Sequence, residues 1–172
     1  MWPVLAKRTC GCWVQELLAP LEAAGIVVPR AEEALAAEID SFVVIEREAR
    51  VLACAQLRDL GASESGQFEH VAEVAAFCVH TEFRGTGRGD SLLDWVEQDA
   101  RCRGFDGIVL LTTRTADWFQ AREFVASGPA HASRTLPESR RAKIDPARNS
   151  QLYVKRLEAP VPGMQPGSRI GY

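Results

Sequence analysis

Three features of the sequence predict an α/β fold built on a mixed sheet. Apolar residues recur at helical spacing in some stretches, while runs such as His70–Val79 and Gly107–Thr113 have the length and continuity of buried strands. The two kinds of segment follow one another as two helices, three strands, a loop and helix, a strand, a helix and a late strand. Between the third strand and the third helix lies Phe83-Arg84-Gly85-Thr86-Gly87-Arg88-Gly89-Asp90. Its alternate glycines allow conformations that a Cβ forbids and a close approach of a ligand to the main chain.

Taken in order, residues 1–12 show no period and no clear strand. Trp13 to Ala24 carries Val14, Leu17, Leu18 and Leu21 on one helical stripe, with Pro20 as an interruption and Gly25 as a stop. Ala31 to Ile39 reads as a short helix with Glu32 and Glu33 in its first turn. Ser41–Glu46 and Val51–Leu57 read as a hairpin whose link has Ala49 where glycine would be easier. Gly61–Gly66 is a loop by composition. The helix after the glycine stretch places Leu92, Leu93, Val96 and Ala100 on one face and ends near Gly104. Thr115–Ala121 reads as a helix with Trp118 and Phe119 facing inward, Ala126–Glu138 as a loop, and Ser150–Arg156 as the last strand. Residues 158–172, with three prolines, read as a flexible tail.

Composition bounds the function. A chain of 172 residues with 47% hydrophobic and 25% charged residues is an ordinary globular domain. A net charge of −3 gives no reason to expect a nucleic-acid or membrane partner. No apolar run reaches the length of a membrane span, and the first 13 residues lack the apolar core of a signal peptide. Five cysteines without paired Cys-x-x-Cys spacing, and three scattered histidines, argue against a disulfide framework and a metal site. The expectation is a reducing compartment with cysteines packed as small hydrophobes.

The glycine stretch fits neither Gly-x-Gly-x-x-Gly nor a Walker loop, because no Gly-Lys-Ser/Thr follows. Unpaired N–H groups at the start of the next helix, with Arg84 and Arg88 beside them, suit a phosphate. A plain turn between strand and helix is the structural alternative.

Read as Arg84-x-x-Gly87-x-Gly89, the stretch resembles the pyrophosphate loop of the GNAT superfamily of acyl-CoA-dependent N-acyltransferases. Leu111-Thr112-Thr113-Arg114-Thr115-Ala116-Asp117-Trp118-Phe119 resembles the signature of N-acetylglutamate synthases, and Leu18–Ile26, Asp40–Arg47 and Leu136–Arg141 fit the same acetyltransferase domain. Asp117 in this signature resembles the plant and algal branch. The resemblance covers residues 14–157. It implies three parts: a divergent segment 1–12, a GNAT domain 13–157 and the tail 158–172. It also implies a mixed, mostly antiparallel sheet flanked by helices.

The family reaction moves acetyl from acetyl-CoA to the α-amine of L-glutamate, the first step of arginine biosynthesis. The resemblance places the CoA pyrophosphate on Arg84, Gly85, Thr86, Gly87, Arg88, Gly89 and Asp90, and the pantetheine arm along Phe77, Cys78 and Val79. An ammonium must lose a proton before attack, and Glu73 matches the family's carboxylate, with Glu69 as the alternative base. An exposed edge-strand glutamate is the structural reading of Glu73. The departing thiolate needs a hydroxyl, which maps to Thr112; Thr113 points to the opposite face, and a strand end or helix cap is the structural reading of either. Two substrate carboxylates call for arginine, and the resemblance points to Arg30, Arg148 and Ser150.

Expected partners are therefore acetyl-CoA and L-glutamate, without a metal, and a homo-oligomer is compatible with the sequence. The compartment would be the chloroplast for a plant or algal chain and the cytoplasm otherwise. Many full-length synthases carry an amino-acid-kinase-like domain ahead of this one, so a fragment, a misplaced gene start and a domain-only form are all open readings. The rival functions are a GNAT enzyme for another small amine or a peptide N-terminus, and an inactive CoA-binding fragment. Glu123 stands where the family usually has glycine, and a positive φ there would be strained.

Overall fold

The computed structural model describes residues 3–6, 11–48 and 50–158. Seven strands form one sheet in the order β1-β2-β3-β4-β5-β7-β6. They are β1 (Val4–Leu5), β2 (Phe42–Arg47), β3 (Arg50–Gly61), β4 (Val71–Val79), β5 (Gly107–Thr112), β6 (Val125–Pro129) and β7 (Gln151–Arg156). The helices are α1 (Gly11–Ala23), α2 (Glu32–Glu38), α3 (Arg88–Cys102), α4 (Ala116–Gln120) and α5 (Glu138–Arg141). The β4–β5 pair is parallel, whereas β1–β2, β2–β3, β5–β7 and β6–β7 are antiparallel. The mixed, mostly antiparallel sheet is the one expected.

The chain divides into two compact units. The first holds residues up to Leu57 together with Ala76–Val96; the second holds Arg58–Ala75 and the described residues from Glu97 onward. In the first, α1 turns Val14, Leu17 and Leu18 onto a core with Leu35, Ile39, Phe42, Val44, Val51, Cys54 and Cys78. Pro20 lies inside α1, and the helix continues past it to a stop at Gly25, whose φ is +67°. In the second, Phe68, Val71, Val109, Ala130, Leu136, Leu152 and Val154 form the core. Leu92, Leu93, Val96 and Ala100 of α3 are buried, as their spacing requires.

Three expectations are corrected. The opening strand exists: Val4 pairs with Val44 and Leu5 with Val43. Two residues with exposed side chains carry no period, so no pattern could announce them. The segment read as a loop over Ala126–Glu138 begins with β6, which pairs with β7 through a register shift between Ala126 and Gly128. Its glycine and proline are tolerated because β6 is an edge strand. In α4, Phe119 is buried as read, but Trp118 is only half-buried and lies against the Arg122 guanidinium, 3.5 Å from its ring centre. At the β2–β3 link Glu48 takes the positive φ, +51°; Ala49, the expected weak point, lies outside the described residues, as does the tail from residue 159. Glu123 does adopt the left-handed region, with φ +70°.

Candidate active site

In the first unit the glycine stretch forms a cradle of backbone amides. Gly85 and Gly87 have φ of +70° and +77°, which side chains rarely adopt, and a 3-10 turn over Thr81–Phe83 delivers the chain to them. Ser91 is the first residue of α3 to bond back, its N–H donating to the Gly87 carbonyl at 3.0 Å. The amides of Gly85 to Gly89 donate to no group among the described residues, which leaves a run of N–H groups at the positive end of a 15-residue helix. Arg88 stacks on Phe83 at 4.9 Å and donates from Nη1 to the Thr86 hydroxyl at 2.6 Å, while its Nε is buried without a partner. A buried, unsatisfied guanidinium N–H beside free amides fits a phosphate group in chemistry and charge.

Phe77, Cys78 and Val79 lead into this cradle. The β4–β5 pairing spans Val71 to Glu73, and Ala76 then takes φ +50°, a break in extended geometry ahead of the stretch expected to splay. The Val79 carbonyl is already engaged by Arg84 Nε at 3.1 Å. Cys78 faces Cys54. Burial pushes the Cys78 thiol up to about 11 against a small opposing pull from Arg84, and burial with the neighbouring Cys78 raises Cys54 as well. Neither thiol is a nucleophile in this state. Arg30 is not an open cation. Its Nη1 donates to Gln56 Oε1 at 2.6 Å and its guanidinium lies 5.7 Å from the Phe42 ring centre. Gln56 is 1% exposed and spends its amide on Glu38 at 2.7 Å and Ser41 at 2.9 Å, so the four side chains form one network.

The second unit holds the other expected groups. Glu73 lies beside Val109 of β5 in the parallel register and is 3% exposed. The reading of an exposed-face glutamate fails; the side chain is buried and paired. Its Oε2 accepts from Arg140 Nε at 2.6 Å and its Oε1 from Arg140 Nη2 at 2.7 Å. Glu69 is exposed, and its N–H is taken by Asp106 Oδ2 at 3.1 Å.

Thr112 ends β5 opposite Gln151 of β7, so it and Ser150 lie at the same end of that strand pair. Its Oγ1 accepts the N–H groups of Arg114 at 3.2 Å and Thr115 at 3.1 Å and lies 2.9 Å from the Thr115 hydroxyl. The threonine thus shapes the turn into α4 while two N–H groups polarise its hydroxyl. Arg148 closes a 3-10 turn, Pro146–Arg148, whose start is capped by Asp145. Asn149, at φ +49°, turns the chain from Arg148 to Ser150, whose carbonyl accepts from Ala130 N–H at 2.9 Å.

The structure therefore groups the cradle with the Phe77–Val79 strand and Arg30 in one unit, and Glu73, Thr112, Arg148 and Ser150 in the other. Sequence reasoning missed Arg140, Gln56 and Thr115 as partners of these groups. Leu136–Arg141 carried a resemblance, but the contact of Arg140 with a residue 67 positions away has no local signal.

Comparison with known proteins identifies the family and the fold. The model of the acetyltransferase (GNAT) family matches residues 12–126. The amino-acid acetyltransferase of Pseudomonas putida strain GB-1 is 42% identical over 142 residues, and that of Pseudomonas aeruginosa PAO1 is equally similar. Each alignment covers 83% of this chain and 31% of the relative, so the chain spans about a third of the length of these relatives. N-acetylglutamate synthase from Neisseria gonorrhoeae, complexed with coenzyme A and N-acetyl-glutamate, superposes with a TM-score of 0.79 at 28% identity, over 91% of this chain and 35% of that one. A GNAT acetyltransferase from Staphylococcus aureus Mu50 superposes at 0.69 with 17% identity, over 91% and 98% of the two chains, and shares the fold. A family model that matches residues 12–126 and relatives 42% identical over 83% of the chain show that it belongs to the GNAT acetyltransferase family.

Proposed function

We propose that this domain transfers acetyl from acetyl-CoA to the α-amine of L-glutamate, the opening step of arginine biosynthesis. The observation that carries the reading is the likeness to the gonococcal synthase, a protein whose structure holds coenzyme A and N-acetyl-glutamate. The 42% identity to amino-acid acetyltransferases supports an amino acid as acceptor.

In this proposal the amides of Gly85 to Gly89 and Arg88 receive the pyrophosphate, and the strand Phe77–Val79 receives the pantetheine arm, with Arg84 leaving the Val79 carbonyl. Glu73 takes one proton from the substrate ammonium, and the freed nitrogen pair attacks the thioester carbonyl. As the C–S bond breaks, its electron pair leaves on sulfur, and the polarised Thr112 hydroxyl protonates that thiolate. Thr112 regains its proton from the nitrogen of the new amide, which must lose one more. Arg148 and Ser150 hold substrate carboxylate, and Arg30 could bind a carboxylate only by exchanging Gln56 for it.

The test is release of CoA by the purified chain with acetyl-CoA and a panel of amines that includes glutamate. Saturable release confined to glutamate supports the proposal. Release with agmatine-like amines or peptide N-termini would reassign the acceptor. Folded chain that binds CoA and releases none would mark an inactive CoA-binding domain.

A further inference from the structure

The carboxylate proposed as base is not an open acceptor. Arg140 reaches both its oxygens, at 2.6 and 2.7 Å, in the side-by-side geometry that only a planar guanidinium offers. Glu73 is 3% exposed, so water cannot take over this role. The arginine is itself held in place. α5 follows Pro137, and the adjacent Arg141 is anchored at 2.7 Å to both Glu64 Oε2 and the Leu136 carbonyl, while Glu64 also accepts the N–H of Glu138. Among the described residues no other side chain bonds Glu73, and β5 offers it Val109; Arg141, next to Arg140 in sequence, is paired with Glu64.

We propose that Arg140 is the positioning residue of the acetyl transfer: its fork fixes the Glu73 carboxylate in one orientation and aims its unused lone pairs, so that the base is ordered before substrate arrives. This rests on the assignment of Glu73 as base. The fork uses one lone pair on each oxygen and leaves the other, so proton acceptance does not require the pair to break. In the step itself an N–H bond of the ammonium is broken, its electron pair stays on nitrogen, and the proton forms an O–H bond on Glu73. The hydrogen bonds that Arg140 donates to Glu73 raise Arg140 above its ordinary value, outweighing its own burial.

The experiment measures kcat and KM for both substrates for the full chain and for Arg140→Gln, Arg140→Lys and Glu73→Gln, with CoA affinity as the check of folding. Arg140→Gln is expected to lower kcat at least about tenfold and to leave KM for acetyl-CoA within about twofold, because the carboxylate is no longer aimed at the ammonium. Arg140→Lys keeps the charge without the fork and should recover only part of the rate; it carries the test if the Gln variant fails to bind CoA. A lysine variant as active as the parent, or a KM for acetyl-CoA that rises as much as kcat falls, would overturn the proposal and leave Arg140 a purely structural anchor. Glu73→Gln at parental rate would instead remove Glu73 as base, an outcome separable from any result with Arg140.

Discussion

Adding one methyl group at Gly107 should destabilise the second unit in a way the structure makes calculable. An ideal Cβ there would lie 2.3 Å from Cδ1 and Cε1 of Phe68 and 2.8 Å from its Cγ, where ordinary contact begins near 3.4 Å. Neither side can retreat. Gly107 opposes Val71 of β4 on one side and Arg156 of β7 on the other. Phe68, 2% exposed, is pinned by Ser63, whose hydroxyl accepts its N–H at 2.8 Å and donates to its carbonyl at 3.1 Å. Its ring also lies under the Arg156 guanidinium at 5.1 Å. Overpacking of this kind costs about 1–3 kcal/mol, and the overlap falls at the upper end of that range. Gly→Ala returns about 0.4–1 kcal/mol by restricting the unfolded chain. The net loss for Gly107→Ala is then about 2 kcal/mol, or roughly 4–8 °C in Tm for a domain of this size. Urea unfolding followed by circular dichroism reads it as a lower midpoint at constant slope. Phe68→Leu makes room, so the double variant should recover at least about 1 kcal/mol of the sum of the two single losses. A neutral or stabilised Gly107→Ala, or strict additivity in the double variant, would refute the argument.

Other outcomes follow from the same coordinates. Glu123→Gly should raise stability by about 0.5–1 kcal/mol, since it relieves a left-handed conformation at φ +70° and gives up only the exposed ion pair to Lys155; an unchanged or lower urea midpoint would contradict this. Cys78 is protonated in the folded chain up to about 11, whereas the unfolded thiol ionises near its ordinary value of 9.0, so the unfolded state binds fewer protons across that window. Its contribution is complete below pH 9 and is lost as pH rises to about 11, and Cys78→Ala should flatten the alkaline fall of the unfolding free energy; equal slopes in the two chains would oppose the burial argument. Arg148→Ala should raise KM for glutamate at least tenfold and leave that for acetyl-CoA within about twofold, as expected for loss of a charge-assisted contact to carboxylate. Equal changes in both constants in steady-state kinetics would assign Arg148 to folding instead.

Much of the fold was legible because its signals are periodic. Leu92, Leu93, Val96 and Ala100 line one face of α3, and Ile108, Val109 and Leu110 of β5 are buried as their composition implies. The glycine stretch was legible for another reason: positive φ at Gly85 and Gly87 is chemistry that a sequence spells directly. Glu123 was identified by the same rule, from a glycine that was missing. What escaped were edges and long-range pairs. β1 is two residues long and β6 is a bulged edge strand with a glycine and a proline, so neither bears the alternation that marks a half-buried strand. Glu73 could be named from its neighbours, but its exposure could not, because the group that compensates its charge arrives from α5. Likewise the resemblance offered Arg30 as a carboxylate ligand, and only the fold brings Gln56 against it.

The helix that supplies Arg140 has four residues, far below the length at which a helix persists in water. What holds it is the attachment of consecutive arginines to two glutamates, one buried at Glu73 and one at the surface at Glu64. The element is thus fastened by charge rather than by a greasy face. Salt screens the outer clasp at Glu64 and hardly reaches the inner one. As ionic strength rises, the segment is expected to loosen from its solvent side while the end that grips Glu73 stays seated, like a hinge with a single pin.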